Sequence, residues 1–242
     1  MPSSAASGRS TYADGARSWP TTRLRGDCSS NRRRLSGTTH RRGGRHVIAG
    51  ALATLGALVL RLVGWRVEGR VPEGMMKAVV IAAPHTSNWD LPLMLAVAWV
   101  LGVRPAWLGK RELFQGPLGW VLRRLGGIPV DRAVRSNVVE QAIARFDSTE
   151  RLFLVVPPSG TRARARHWKS GFYHVARGAR VPILCTFLDY RRRTGGIGPA
   201  LSPTGNVPAD MERLRGFYGG VTGKYPENAT PVRLAEEGEA AA

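Results

Sequence analysis

His85 and Asp90 stand five residues apart in Pro84-His85-Thr86-Ser87-Asn88-Trp89-Asp90, directly after the apolar, β-branched run Val79-Val80-Ile81. On a continuous helix that spacing turns about 500°, which leaves the two side chains roughly 140° apart. Across a turn leading into a helix, Asp90 can instead fold back and hydrogen-bond one imidazole nitrogen. That bond fixes the tautomer and stabilises the imidazolium formed when the other nitrogen takes a proton. Such a dyad is a general base for a hydroxyl, worth ~10²–10⁴-fold in rate. The same residues also have a plainer reading, with His85 a polar strand-end residue and Asp90 a first-turn acid near the helix dipole. Two more loops carry polar groups, Gly109-Lys110-Arg111 and Ser159-Gly160-Thr161-Arg162. A Gly-Thr-Arg loop exposes backbone N–H groups and adds a hydroxyl and a forked guanidinium, a set that suits a phosphate. It is equally the composition of an ordinary turn.

The elements that must position these residues can be read from periodicity. Lys77 to Ala83 is a buried strand delivering His85 to its carboxyl end, and Thr86, Ser87 and Asn88 offer capping oxygens to an apolar helix over Leu91–Leu101. Pro105–Phe114 reads as a strand ending in a basic loop, Pro117–Leu125 as a short helix, and Ile128–Arg132 as a strand edge. Ser136 caps a helix whose Val138, Val139, Ala142, Ile143 and Phe146 recur at helical spacing. Leu152–Val156 and Val181–Phe187 are further continuous apolar strands, with a helix starting at Gly171 between them. A basic, Gly- and Pro-rich stretch follows Tyr190, then a helix over Ala209–Tyr218 and an acidic, alanine-rich end. Strands alternating with helices, apolar on both faces, predict an α/β fold with a mostly parallel central sheet flanked by helices. In such sheets ligands bind beyond the carboxyl ends of the strands.

The chain has 242 residues, 43% of them hydrophobic, and a formal charge of +19. That excess favours polyanions: anionic lipid, phosphorylated substrates or nucleic acid. No zinc-finger spacing, RNP-like motif or homeodomain-like run is present, so no specific nucleic-acid partner is indicated. Cys28 and Cys185 imply no disulfide framework. Residues 1–45, rich in Ser, Gly and Arg, read as a disordered basic tail. Val47–Leu60 is uncharged, flanked by Arg45 and His46 on one side and Arg61, Trp65 and Arg66 on the other. Fourteen uncharged residues fall short of the ~20 a spanning helix needs, so residues 46–66 fit a membrane-associating interfacial helix; a buried core helix is the competing reading. This leaves a domain over 67–226 and a disordered acidic tail over 227–242.

Taken together and in order, these blocks resemble the glycerolipid acyltransferases of the 1-acylglycerol-3-phosphate acyltransferase (PlsC-like) type. The family's His-x-x-x-x-Asp block matches His85 and Asp90, and Gly109-Lys110-Arg111-Glu112-Leu113 is similar to the block that follows it. The Pro-Glu-Gly-Thr-Arg block matches Pro158-Ser159-Gly160-Thr161-Arg162, and a Val-Pro block matches Val181-Pro182. Gly126–Arg132 and Trp168–Tyr173 are also typical of the family, and the resemblance spans roughly residues 66–225. It implies a glycerolipid-acyltransferase-like fold with an N-terminal membrane-associating helix, at the cytoplasmic face of a membrane. It also implies that His85 deprotonates an acceptor hydroxyl with Asp90 orienting it, without a metal or cofactor. The acyl donor would be acyl-CoA or acyl carrier protein, and the acceptor a lysophospholipid such as lysophosphatidic acid. Gly160, Thr161 and Arg162, the Gly160 N–H included, would hold its phosphate, with Lys110 and Arg132 adding charge and Ser159 lining the loop. An apolar groove would take the acyl chain. Ser159 departs from the family's glutamate, which removes an ion-pair partner from the loop. That departure leaves open a different hydroxylated lipid acceptor, or a weakened homologue that only coats anionic membrane.

Overall fold

The computed structural model describes residues 43–130 and 135–237, all within the unit His40–Ala242. The tail expected over residues 1–45 lies outside the described residues but for Gly43, Gly44 and Arg45, as do Arg132 and residues 238–242. Helix α1 spans Gly43–Leu62, strand β1 Arg66–Glu68, β2 Lys77–Ala82, α2 Asp90–Val100 and β3 Pro105–Lys110. A 3₁₀ turn over Arg111–Phe114 leads into α3 (Gly116–Arg124), followed by β4 (Gly127–Val130), α4 (Arg135–Asp147) and β5 (Leu152–Val156). The chain continues through α5 (Gly171–Gly178), β6 (Ile183–Asp189), β7 (Thr194–Leu201) and α6 (Val207–Tyr218).

The seven strands form one sheet in the order β1-β7-β6-β2-β5-β3-β4, parallel throughout except for the β6–β7 pair. β2 is central because nothing in Ala78–Ala82 needs water: all five residues are buried, as a strand covered on both faces requires. Ile81 pairs with Val156 of β5 and with Cys185 of β6, so the carboxyl ends of β2 and β5 finish side by side.

The strand pleat divides the core. Val79, Ile81, Leu154 and Ile183 face Phe146 of α4, Phe172 of α5 and Met211 of α6. Ala78, Val80, Phe153 and Leu184 face the other way, toward Ala98 of α2 and Leu101 at its C-cap. α1 lies outside α2 on that second side, joined through Leu60, Ala96, Val97 and Leu188. Gly56 permits the approach, since a Cβ there would stand 2.7 Å from the carbonyl oxygen of Ala96. α3 shares this side: Phe114, which leads into it, packs its ring 5.7 Å from that of Trp107, and Trp107 lines a cavity with α2.

Three expectations change. Ser136, placed at a cap by sequence, is the second residue of α4. The stretch after Tyr190 contains β7, whose glycines hide its strand character from composition. A Cβ at Gly196 would collide with the Glu68 carbonyl of β1, and one at Gly195 would press on Leu188 and Val97, so glycine is what lets neighbours close in. The chain also stays packed well beyond residue 226. The Trp168 N–H donates to the Arg233 carbonyl at 2.8 Å, Leu234 is buried against Trp168, and the Arg215 guanidinium donates to Glu237 at 2.6 Å. Leu234→Ala is therefore expected to lower unfolding free energy by about 2–5 kcal/mol, read as a lower urea midpoint at unchanged slope. A loose tail would show no change.

Candidate active site

β2 ends at Ala82, and the next seven residues turn the chain into α2, which opens on Asp90. The expected capping by Thr86, Ser87 or Asn88 is not what closes this turn; no side chain caps α2 at its N-cap, Trp89. Instead the Asp90 carboxylate reaches back. Its Oδ2 accepts from the backbone N–H of Thr86 at 2.9 Å and of Ser87 at 3.0 Å, while Ser87 Oγ accepts from Trp89 N–H. The same Oδ2 lies 2.9 Å from His85 Nδ1, and Oδ1 accepts from the Tyr190 hydroxyl at 2.7 Å. Asp90 is only 1% exposed. Burial alone would push its carboxyl up, but the bonds from His85, Tyr190 and Ser87 outweigh it and hold the pKa below the ordinary value of 3.8. An ionised carboxylate can only accept, so Nδ1 of neutral His85 carries the proton and Nε2 keeps its lone pair.

Tyr190, immediately after β6, is the site residue that sequence patterning misses; it lies 100 positions from Asp90 and belongs to no motif. Burial and then the Asp90 carboxylate push its phenol well up, so it stays a neutral donor. Its ring meets Trp65, just past α1, edge-on with centroids 4.9 Å apart, and its N–H donates to the Thr222 carbonyl. From the same C-terminal stretch Tyr225 N–H donates to Thr86 Oγ1 at 3.3 Å, and Lys224 Nζ stands 5.2 Å above the Trp89 ring.

The loop after β5 comes to the same place. His85, Pro157, Gly160, Thr161, Arg162 and Ala163 border one open cleft of about 490 Å³. Gly160 has φ +65°, a conformation that glycine adopts without strain. Its N–H donates to the Pro157 carbonyl at 3.1 Å, so the phosphate role expected for that N–H is taken by the turn itself. Thr161 Oγ1 accepts from Ala163 N–H, and buried Ser159 donates its hydroxyl to the Thr161 carbonyl at 2.7 Å, so serine stitches the loop from within. Arg162 is exposed. Another unforeseen residue is Lys169, whose Nζ would lie 2.9 Å from a Cβ at Gly160, which puts a cation at the loop's edge. Lys110 ends β3, away from the β2–β5 junction by one strand; Arg132 lies outside the described residues.

A separate, apolar space of about 110 Å³ lies between α2 and the sheet, with Leu91, the residue after Asp90, in its wall. Leu91, Met94 and Ala98 line it from α2, Leu101 from the C-cap, and Val80, Val155 and Leu184 from the strands. It follows the length of α2, ~16 Å for eleven residues. Among the described residues no group of three or more His, Cys, Asp or Glu could hold a metal ion, and no helix is long and apolar enough to cross a membrane.

A protein-family model described as Acyltransferase matches residues 66–188, just over half of the chain. The crystal structure of the 1-acyl-sn-glycerophosphate (LPA) acyltransferase PlsC from Thermotoga maritima is similar in fold, with a TM-score of 0.50 and 22% identity. The match covers 75% of this chain and 79% of that one. No curated protein matches the chain.

A lowered carboxyl pKa stabilises the fold above the unfolded value and loses that effect as pH falls through the folded one. Asp90→Asn is expected to cost about 1.5–3 kcal/mol at neutral pH, with the gap to wild type narrowing below about pH 4 in urea titrations. A gap independent of pH would contradict an ionised Asp90.

Proposed function

The chain belongs to the acyltransferase family, and we propose that it moves a fatty acyl group from a thioester to the hydroxyl of a lysophospholipid, lysophosphatidic acid first among them. The observation that carries this reading is the shared cleft of His85 and Gly160–Arg162, with a separate apolar space whose wall includes Leu91, the residue after Asp90. A base for a hydroxyl, a basic edge for a phosphate and an apolar cavity for an acyl chain are what such a transfer needs.

In the proposed reaction His85 Nε2 takes the acceptor's hydroxyl proton as its oxygen attacks the thioester carbonyl. The C–O bond forms, the C–S bond breaks, and the proton passes from the imidazolium to the departing thiolate. Asp90 offsets the imidazolium charge throughout, with Tyr190 and the Thr86 and Ser87 N–H groups holding the carboxylate in place. No covalent acyl-enzyme is required, because holding both substrates together supplies the proximity. The donor is acyl-CoA or acyl carrier protein, and the chemistry asks for no metal or cofactor. Arg162, Thr161 and Lys169 would meet the acceptor's phosphate, and Lys110 and Arg132 would add charge. α1, with Leu58 and Leu62 exposed, would seat the enzyme on the cytoplasmic face of a membrane.

One observation favours another acceptor. Ser159, where the family pattern has glutamate, is committed to the Thr161 carbonyl and gives Arg162 no carboxylate to pair with. An unpaired guanidinium suits a phosphodiester as well as a terminal phosphate, so a lysophospholipid with a larger head group remains an acceptor worth assaying.

The test is transfer from labelled long-chain acyl-CoA or acyl carrier protein to lysophosphatidic acid in detergent micelles. His85→Ala is expected to lose ~10²–10⁴-fold in kcat. Arg162→Ala is expected to raise KM for the phosphate acceptor more than it lowers kcat. Ala98→Phe, which narrows the apolar space, is expected to shift preference toward shorter acyl donors. Transfer that survives in His85→Ala would overturn the mechanism.

A further inference from the structure

Exposed large apolar side chains are not spread evenly over this molecule. Leu55, Leu58 and Val59 lie on α1, Leu62 and Val63 at its end, and Leu91 on α2. Leu113, Leu118, Trp120, Val121 and Leu125 lie on or beside α3, and Met76, Trp89 and Tyr225 are exposed in connecting segments. α4, α5 and α6, on the other side of the sheet, contribute none among the described residues. A soluble protein exposes single apolar residues anywhere; a contiguous group on one side marks a surface with a partner.

The α3 group is separate from α1 in sequence and has its own chemistry. At 100° per residue, Gly119 points inward, where a Cβ would collide with the Phe114 carbonyl. The opposite arc carries Trp120, Val121, Leu125 and Leu118, with Leu118 and Trp120 each 61% exposed. Arginine frames it. The Arg124 guanidinium lies 4.6 Å over the Trp120 ring, Arg123 lies 5.4 Å over Phe114, and Arg111 stands exposed on the 3₁₀ turn. Glu112 is the one acid in this segment, and α3 itself has none.

We propose that Leu113–Leu125 is an additional membrane foothold, independent of α1, that inserts its apolar arc into the head-group region and pairs its arginines with anionic phospholipid. Nine residues of α3 reach ~14 Å, far short of the ~30 Å of hydrocarbon, so the helix lies in the interface plane. Leucine and valine enter, tryptophan sits at the boundary, and arginine stems lie along the apolar surface with their guanidinium groups at the phosphates. The occupant is a bilayer because the arc mixes exposed apolar side chains with cations, Arg124 among them and Arg123 and Arg111 beside it, and shares its side of the sheet with the apolar cavity. Footholds on α1 and α3 would hold the face of the sheet that carries this cavity against the source of acyl chains. The inference rests on the proposed acyltransferase function for that last point alone.

The test uses the full chain with two pairs of substitutions, Trp120→Ser with Val121→Ser, and Arg123→Gln with Arg124→Gln. Binding is measured by flotation with vesicles of phosphatidylcholine alone and with added phosphatidylglycerol. The apolar pair is expected to lower partitioning to both vesicles by about tenfold or more. The arginine pair is expected to lower it only on anionic vesicles, by about fivefold per arginine. Transfer to a short-chain, monomeric acceptor should be unchanged in both variants. Wild-type binding by both variants would overturn the foothold, as would a wild-type dimer that the apolar pair converts to monomer, since the occupant would then be a second copy. Absence of transfer from wild type on the soluble acceptor would count against the enzymatic reading and leave the vesicle result standing.

Discussion

One buried anion ties this structure together. The Asp90 carboxylate accepts four hydrogen bonds, from His85, the backbone of Thr86 and Ser87, and Tyr190. An uncompensated charge in that position would be costly, and each of these donors lowers the penalty. The donors arrive from the end of β2 and from the β6–β7 connection, and Trp65 beyond α1 braces the Tyr190 ring. Two distant stretches of chain thus meet at a single side chain, and a third holds one of them in place. The same constraint settles the chemistry, because a carboxylate that can only accept leaves His85 one tautomer and one basic nitrogen.

The parallel sheet supplies the rest of the geometry. With β2 and β5 paired in register to Ile81 and Val156, the turn after one strand and the loop after the other share a single cleft. The pleat of β2 then separates two tasks. One side is closed by α4, α5 and α6 into a dense core, and the other leaves an apolar space under α2 that starts one residue from Asp90. Under the proposed function, the polar cleft takes the acceptor and the apolar space the acyl chain, and the reacting atoms meet where the two approach His85.

Much of this was readable beforehand, for physical reasons. β2, β5 and β6 are continuous apolar runs, α4 has clean helical periodicity, and the His85–Asp90 and Gly160–Arg162 blocks sit at strand ends. What escaped has no local signature. β7 is a strand whose glycines serve its neighbours. Tyr190, Lys169 and Tyr225 reach the site only through tertiary folding. The Gly160 N–H promised a free donor for a ligand because composition does not reveal a turn's internal bonds. Residues 227–237 read as a tail because their acidic, alanine-rich character hid two anchors, Leu234 and Glu237, whose partners are far away in sequence.

The Asp90 cage fixes the His85 tautomer and leaves Nε2 as the base. The most direct measurement is ¹⁵N NMR of histidine-labelled protein, with His85 assigned by comparison with His85→Ala and read above the pH of imidazole protonation. A protonated Nδ1 and an unprotonated, strongly deshielded Nε2 are expected, with that pattern weakened in Tyr190→Phe and lost in Asp90→Asn. A proton on Nε2 in the wild-type protein, or a tautomer mixture unaffected by Asp90→Asn, would contradict it.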